Sequence, residues 1–205
     1  MAIGISVYND KNTLQIDDRG ITHGLVNKYT TTDLNNVENE LCAYSPTVDG
    51  GQIHIRTIKS SAPQPNNVDV FVFGKPSTPD NFGLQVFRED GTVSFHSGYK
   101  PIRVVDFIRT PIITPQDYEK LFTGITKTYE GYGRLGVIVG SSTAMFFVPS
   151  NINSPVQVFQ PAVVITGNTV QFGWYANKLP SAARDSVVVK SSYHNDFIVV
   201  DLTNY

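Results

Sequence analysis

Residues 4–26 and 83–105 align without a gap, and the alignment carries the rhythm of strands rather than of helices. Gly4, Val7, Thr13 and Val26 are identical to Gly83, Val86, Thr92 and Val105, and Ile5, Tyr8, Leu14, Ile16 and Leu25 face Leu84, Phe87, Val93, Phe95 and Val104. Ile5 and Val7 alternate around Ser6, and Leu14 and Ile16 around Gln15, which is the period of two half-buried strands. A short hairpin loop needs a residue at positive φ, a conformation that Asn tolerates and Gly takes freely. Asn12 and Gly91 occupy the same aligned position. Two superposable hairpins over 4–16 and 83–95 are therefore predicted.

The rest of the chain is written in the same alphabet. It holds 24 Val and 16 Ile against 9 Leu. β-Branched side chains lose rotamer freedom in helices and pack well on a pleated surface. Further strands are predicted at Val68 to Phe73, Leu135 to Val139, Ala144 to Val148, Val156 to Phe159, Ala162 to Ile165, Thr169 to Tyr175, Val187 to Lys190 and Phe197 to Leu202. Gly140 to Thr143 reads as a hairpin link and Thr166-Gly167-Asn168 as a tight turn. One short helix is expected at Pro115 to Thr123, with Thr114 as cap, Pro115 at the first helical position and Gly124 as stop. A weaker helical candidate covers Thr32 to Cys42, where loop reads equally well, and Ser45 to Gly51 reads as loop. The fold class is all-β, mainly an antiparallel sandwich or barrel-like arrangement of repeated hairpins with one short helix. Residues 1–110 form a first β region with the two similar hairpin units and residues 111–205 a second, which can pack with the first as one domain.

Charge narrows the function classes. Sixteen basic residues against 18 acidic ones give a formal charge of −2, without the basic excess of a phosphate-neutralising nucleic-acid binder. No apolar run is long enough to span a bilayer as a helix, and the first ten residues do not read as a signal peptide. Synthesis in the cytoplasm, no membrane segment and no nucleic-acid partner are the expectations. A single cysteine, Cys42, excludes an intrachain disulfide and a multi-cysteine metal site and reads as a small buried hydrophobe.

The chemistry-bearing patterns are sparse. Gly131-Tyr132-Gly133-Arg134-Leu135-Gly136 has the glycine spacing of a dinucleotide fingerprint, but it leads into a strand, Val137 to Val139, and not into the helix N-terminus the motif needs. It reads as a turn. His23, His54, His96 and His194 are widely separated. His54 is expected to face away from Ile53 and Ile55, His96 to lie on the surface opposite Phe95, and His194 to sit in a loop beside Asp196. Asp17, Asp18, Glu89, Asp90 and Glu119 are scattered. No catalytic, cofactor-binding or metal-ligating residue is assigned, and no cofactor. Tyr129, Tyr132, Trp174 and Tyr175 are the candidate contact surface, because Tyr and Trp bury area at low entropic cost and keep a polar handle.

The run from Phe82 through Gly83-Leu84-Gln85-Val86-Phe87, Asp90-Gly91 and Ser97-Gly98-Tyr99-Lys100-Pro101-Ile102-Arg103-Val104 resembles a signature of small virion proteins of tailed bacteriophages. There a Tyr/Phe-Gly-Leu-x-Val-Phe segment, an Asp-Gly turn and a Ser-x-Tyr-x-Pro-hydrophobic-Arg-Val stretch recur, often beside the tail tip and fibres. The resemblance covers residues 82–105, and the copy at 4–26 lacks the Tyr-x-Pro-Ile-Arg element. It implies a non-enzymatic structural subunit of the virion at the distal tail or a tail-fibre attachment point, homo-oligomeric and bound to other tail proteins. The alternatives are a receptor- or carbohydrate-binding β module, a capsid or collar decoration protein, and a small hydrolase using His54 or His194.

Overall fold

A computed structural model of the chain describes residues 6–8, 14–17, 23–34, 41–55, 66–75, 83–110, 124–142, 145–147, 155–179 and 194–205. The described residues are all-β, without a helix, and every strand pair is antiparallel. The helix expected over 115–123 and the strand expected over 187–190 lie outside the described residues.

The internal echo is reproduced in three dimensions residue for residue. In the first copy β1 (Ser6–Tyr8) pairs with β2 (Leu14–Asp17) through Ser6 with Asp17, Val7 with Ile16 and Tyr8 with Leu14. In the second, β7 (Gln85–Phe87) pairs with β8 (Val93–His96) through Gln85 with His96, Val86 with Phe95 and Phe87 with Val93. These are the aligned residues in the same register, and each hairpin has its bulge at the aligned place, Gln15 and Ser94. Gly91 has φ +79° at the turn; Asn12 lies outside the described residues. The likeness continues past the hairpins. β3 (Gly24–Thr31) is bulged at Val26 against its neighbour, and β9 (Val104–Arg109) is bulged at Val105, the residue aligned with Val26.

β3 and β9 end a six-stranded sheet of order β3-β6-β4-β11-β15-β9, built with β6 (Val68–Gly74), β4 (Leu41–Pro46), β11 (Leu135–Ser141) and β15 (Asp196–Asp201). Strand directions alternate throughout, and counted from the two ends β3 stands opposite β9, β6 opposite β15 and β4 opposite β11. The two end strands also meet. Gly24 bridges Pro101, the Leu25 N–H donates to the Lys100 carbonyl at 2.9 Å, and the Ile102 N–H donates to the His23 carbonyl at 3.4 Å. Both sheets draw strands from either side of residue 110. The second has five strands, β10 (Ile125–Thr128), β14 (Thr169–Leu179), β13 (Val156–Thr166) and β12 (Met145–Phe147) in order, with β5 (Gly51–His54) also on β13.

β13 and β14 are joined by the two-residue loop Gly167-Asn168, whose Gly167 has φ +52°, as the first position of a type II′ turn requires. Pro161 makes the segment look like two strands in sequence, because Pro has no N–H for a ladder. It is tolerated where β13 changes partners, between Phe159, the last residue paired with β12, and Ala162, the first paired with β5.

Alternation decides the burial. Ile53, Val163, Ile165, Val170 and Phe172 from the five-stranded sheet and Val68, Ile108, Leu135, Val137, Phe197 and Val199 from the six-stranded one form one buried cluster. The opposite face of the larger sheet buries Ala43, Phe71, Phe73, Ile138 and Val200 under Leu202, with Tyr205 and Ile102 packed against them. Full burial of such a side chain is worth about 1.5–3 kcal/mol, so the larger sheet is stabilised on both faces.

Several local expectations need correction. β11 and β12 do not form a hairpin, since β11 belongs to the six-stranded sheet and β12 to the five-stranded one. Leu41 and Cys42 begin a strand rather than ending a helix, and Ser45 and Pro46 complete that strand before the turn at 47–50. His96 is fully buried rather than on the surface. Alternation holds along β8, but the face opposite Phe95, shared by Ser94 and His96, is the buried one, and the ring finds a partner inside, its Nδ1 accepting the Gly98 N–H at 2.9 Å. Gly98, lacking a Cβ, makes room for the imidazole, and Gly83 makes room for the Ser97 hydroxyl.

Candidate functional site

The end of the larger sheet where β4, β6 and β11 meet the β13–β14 turn opens into a cleft of about 240 Å³. Arg134 precedes β11 and crosses its floor. One guanidinium nitrogen lies 2.7 Å from Asp69 Oδ2 on β6, and Nε donates to Ser45 Oγ on β4 at 3.1 Å. The face of the guanidinium covers the Phe71 ring at 5.1 Å. Asp69 Oδ1 accepts the Thr30 hydroxyl at 2.5 Å. Burial pushes the Asp69 carboxyl up, but the Thr30 hydroxyl and Arg134 outweigh it and hold it below the usual carboxylate range. Ser45 donates its own proton to the Leu135 carbonyl at 2.9 Å. The rim is tied down by Asp49 Oδ1, which accepts the Gly167 N–H at 2.6 Å. The serine proton is committed to a carbonyl and the carboxylate to two donors. This arrangement fits recognition and packing, and it holds no base aimed at a nucleophile.

A second polar group lies at the start of β15. Asp196 takes Arg109 in a two-point grip, at 2.7 and 3.1 Å, and the Ser141 hydroxyl at 3.1 Å. His194 Nε2 stands 3.9 Å from the same carboxylate, beside it as the sequence suggests. Arg109 holds the Asp196 carboxyl below its ordinary range. The serine proton here goes to the carboxylate rather than to the imidazole, so among the described residues Ser141, His194 and Asp196 do not stand in the order that serine hydrolysis needs.

His54, between buried Ile53 and Ile55, lies flat on Tyr175 with ring centroids 3.7 Å apart, and His23 is exposed. Among the described residues no group of three His, Cys, Asp or Glu side chains could hold a metal ion. Gly131 to Gly136 is a turn into β11, with Gly131 at φ +86°.

The four candidate contact aromatics do not come together as one group. Tyr129 and Tyr132 are half-buried against the main core. The Tyr129 hydroxyl donates to Asp106 Oδ2 at 2.9 Å, beside Lys127 Nζ at 2.9 Å, and burial together with that carboxylate pushes its pKa up. Trp174 and Tyr175 are neighbours in β14 and so face opposite sides. The four most exposed large apolar side chains among the described residues are elsewhere, ahead of Val48, Val26 and Leu41. Leu84 (60%), Phe87 (52%), Val104 (63%) and Phe107 (55%) all belong to the second hairpin and the strand after it. A signal for them exists in Val104-Val105-Asp106-Phe107-Ile108, where a carboxylate interrupts an apolar run as edge strands often require.

No protein-family profile, curated protein or solved structure matches the chain.

Proposed function

We propose that the chain is a non-enzymatic structural subunit of a tailed-phage virion, at the distal tail or a tail-fibre attachment point, and that the second repeat unit is its contact element. The observation that carries this reading is the exposure of Leu84, Phe87 and Val104, each more than half open, inside the segment 82–105 that resembles tail proteins. Contiguous exposed apolar patches on a monomer commonly mark interaction sites. Their surroundings suit a broad contact, because only 17% of the chain is charged and interface cores are depleted in charge. Contacts of this kind repeat between identical copies and with neighbouring tail proteins, which makes the subunit homo-oligomeric and places it in the particle. The meeting of β3 with residues 100–102 ties the end of the larger sheet to the second repeat unit. Capsid or collar decoration would use the same surface.

Mass spectrometry of purified virions tests the proposal, with several copies per particle as the expected result. Leu84→Ser with Phe87→Ser should leave the fold intact by circular dichroism and deplete the protein from particles. Absence of the wild-type chain from virions overturns the reading.

A further inference from the structure

The Lys100-Pro101-Ile102-Arg103 element belongs to the second copy of the internal echo, where the first copy has Ile21-Thr22-His23-Gly24. In the fold each of its residues meets the turn that follows β15 or the cluster beneath it. Arg103 Nη1 stands 3.1 Å from Asp201 Oδ2, the same guanidinium reaches the Thr203 carbonyl, and its face covers the Tyr205 ring at 5.2 Å. The Asp201 N–H donates to the Arg103 carbonyl at 2.9 Å, and Lys100 Nζ donates to the Asn204 carbonyl at 2.8 Å. The Tyr205 hydroxyl donates to the Pro101 carbonyl, while its ring stands edge-on to Phe71 and Phe73. Ile102 packs on the same cluster as Tyr205 and Leu25. The other side of the element carries the bridge to β3, through Leu25 and Lys100 and through Ile102 and His23. Residues 100–103 are thus held between β3 and the 201–205 segment.

We propose that residues 202–205 are a strap that fixes the second repeat unit against β3, and that the strap opens without unfolding of the sheets. Its root is firm. Thr203 Oγ1 accepts the Gly133 and Arg134 N–H groups at 2.9 and 3.0 Å, and Leu202 is buried. Its outer part rests on weaker terms. The Arg103 side chain is 43% exposed, and ion pairs so exposed contribute little. Asn204 holds φ +70°, a left-handed conformation that costs residues other than glycine. Contacts of this kind belong to the low-stability end of a fold, which opens locally. Because the strap continues β15, it grips the arm only where β15 has joined the sheet. The cationic element of the second copy then has a role that the first copy, without it, does not share: closure pins the arm that leads from β8 into β9. The inference stands apart from the virion reading, which could fail without affecting it.

Amide hydrogen exchange in the full chain tests this with two variants that loosen the strap by different routes. Arg103→Gln removes the charged grip. Asn204→Val leaves the acceptor for Lys100, a backbone carbonyl, and adds strain, since a β-branched residue is an outlier at positive φ. Each should quicken exchange at Leu25 and Ile102 several-fold and leave the amides of β13 and β14 at wild-type rates. The residual dipolar couplings of β7 and β8, which fit the frame of the sheets in wild type, should cease to fit it. Arg109→Gln breaks an ion pair at the opposite end of β15 and should change neither readout. Loss of amide dispersion identifies a variant that has unfolded, and the other variant then decides. Wild-type exchange at Leu25 and Ile102, a rise shared equally by β13 and β14, hairpin couplings that still fit the sheets, or the same response to Arg109→Gln overturns the proposal.

Discussion

Gly136→Ala offers a sharp check on the packing of the larger sheet. Gly136 lies on β11 beneath Leu202, which is 1% exposed. A Cβ added there would fall well inside the contact distance of Leu202 Cδ1 and stand 3.1 Å from the Tyr44 carbonyl oxygen. Leu202 cannot swing aside cheaply, because Ala43, Phe71, Phe73, Ile138 and Val200 pack in its cluster. Overpacking of this kind costs about 1–3 kcal/mol. Replacing glycine within a strand returns about 0.5–1 kcal/mol of backbone entropy, leaving a net loss of roughly 0–2.5 kcal/mol by the same two terms. Leu202→Ala alone should cost about 2–5 kcal/mol. In that background the clash is gone, so Gly136→Ala should become neutral or stabilising, with a coupling of about 1–3 kcal/mol between the two sites. Urea unfolding followed by the fluorescence of Trp174, the single tryptophan, measures all four corners of the cycle. The same destabilisation by Gly136→Ala with and without Leu202 would refute the contact.

Gly91→Val should destabilise the protein by about 1–3 kcal/mol through backbone strain alone, since Gly91 has φ +79° and a Cβ there would meet open space; thermal or urea melts report it, and a neutral result would contradict the turn geometry. Asp69, Asp106 and Asp196 all have lowered pKa values, so the unfolded chain binds more protons than the folded one near their titration; their stabilisation is full above the unfolded carboxylate range and fades as pH falls through the folded values. Melting temperature measured between pH 6 and pH 2 should fall below about pH 4, the ordinary carboxylate range, and Asp69→Asn should flatten part of that fall.

Local chemistry sets how much of this fold can be read in the sequence. The hairpins are legible because alternation and turn residues lie within thirteen positions, and the Gly167 turn because glycine there satisfies a backbone requirement. The second sheet's long strand reads as two, since Pro161 looks like a break until a change of partner strand explains it. β4 escapes recognition, because Leu41-Cys42-Ala43-Tyr44 carries apolar side chains on both faces and has no clear period. That continuous apolar character records burial on both sides of the larger sheet, which only the tertiary arrangement reveals. His96 is misplaced for a related reason: it alternates with Phe95 as expected, but the face it shares with Ser94 is the buried one, which the apolar residues of the strand do not reveal. The cleft around Arg134 is invisible in sequence, because Ser45, Asp69 and Arg134 are separated by tens of residues and have no shared motif.

The order of the larger sheet also constrains how the chain reaches its fold. β3, β6 and β4 all lie between residues 24 and 74 and can pair once that stretch has emerged from the ribosome. β9 and β11 cannot be joined in the same way, since the strand that lies between them, β15, begins at Asp196, some 87 residues beyond Arg109 on β9. Until β15 arrives, Phe107 and its neighbours wait without the strand they will pair with. Closing contacts over such separations is slow, and waiting strands are where non-local β proteins are most exposed to aggregation. A nascent chain halted before Asp196 would therefore hold one finished half of the sheet and one unfinished half, and a chaperone would find its substrate in the second.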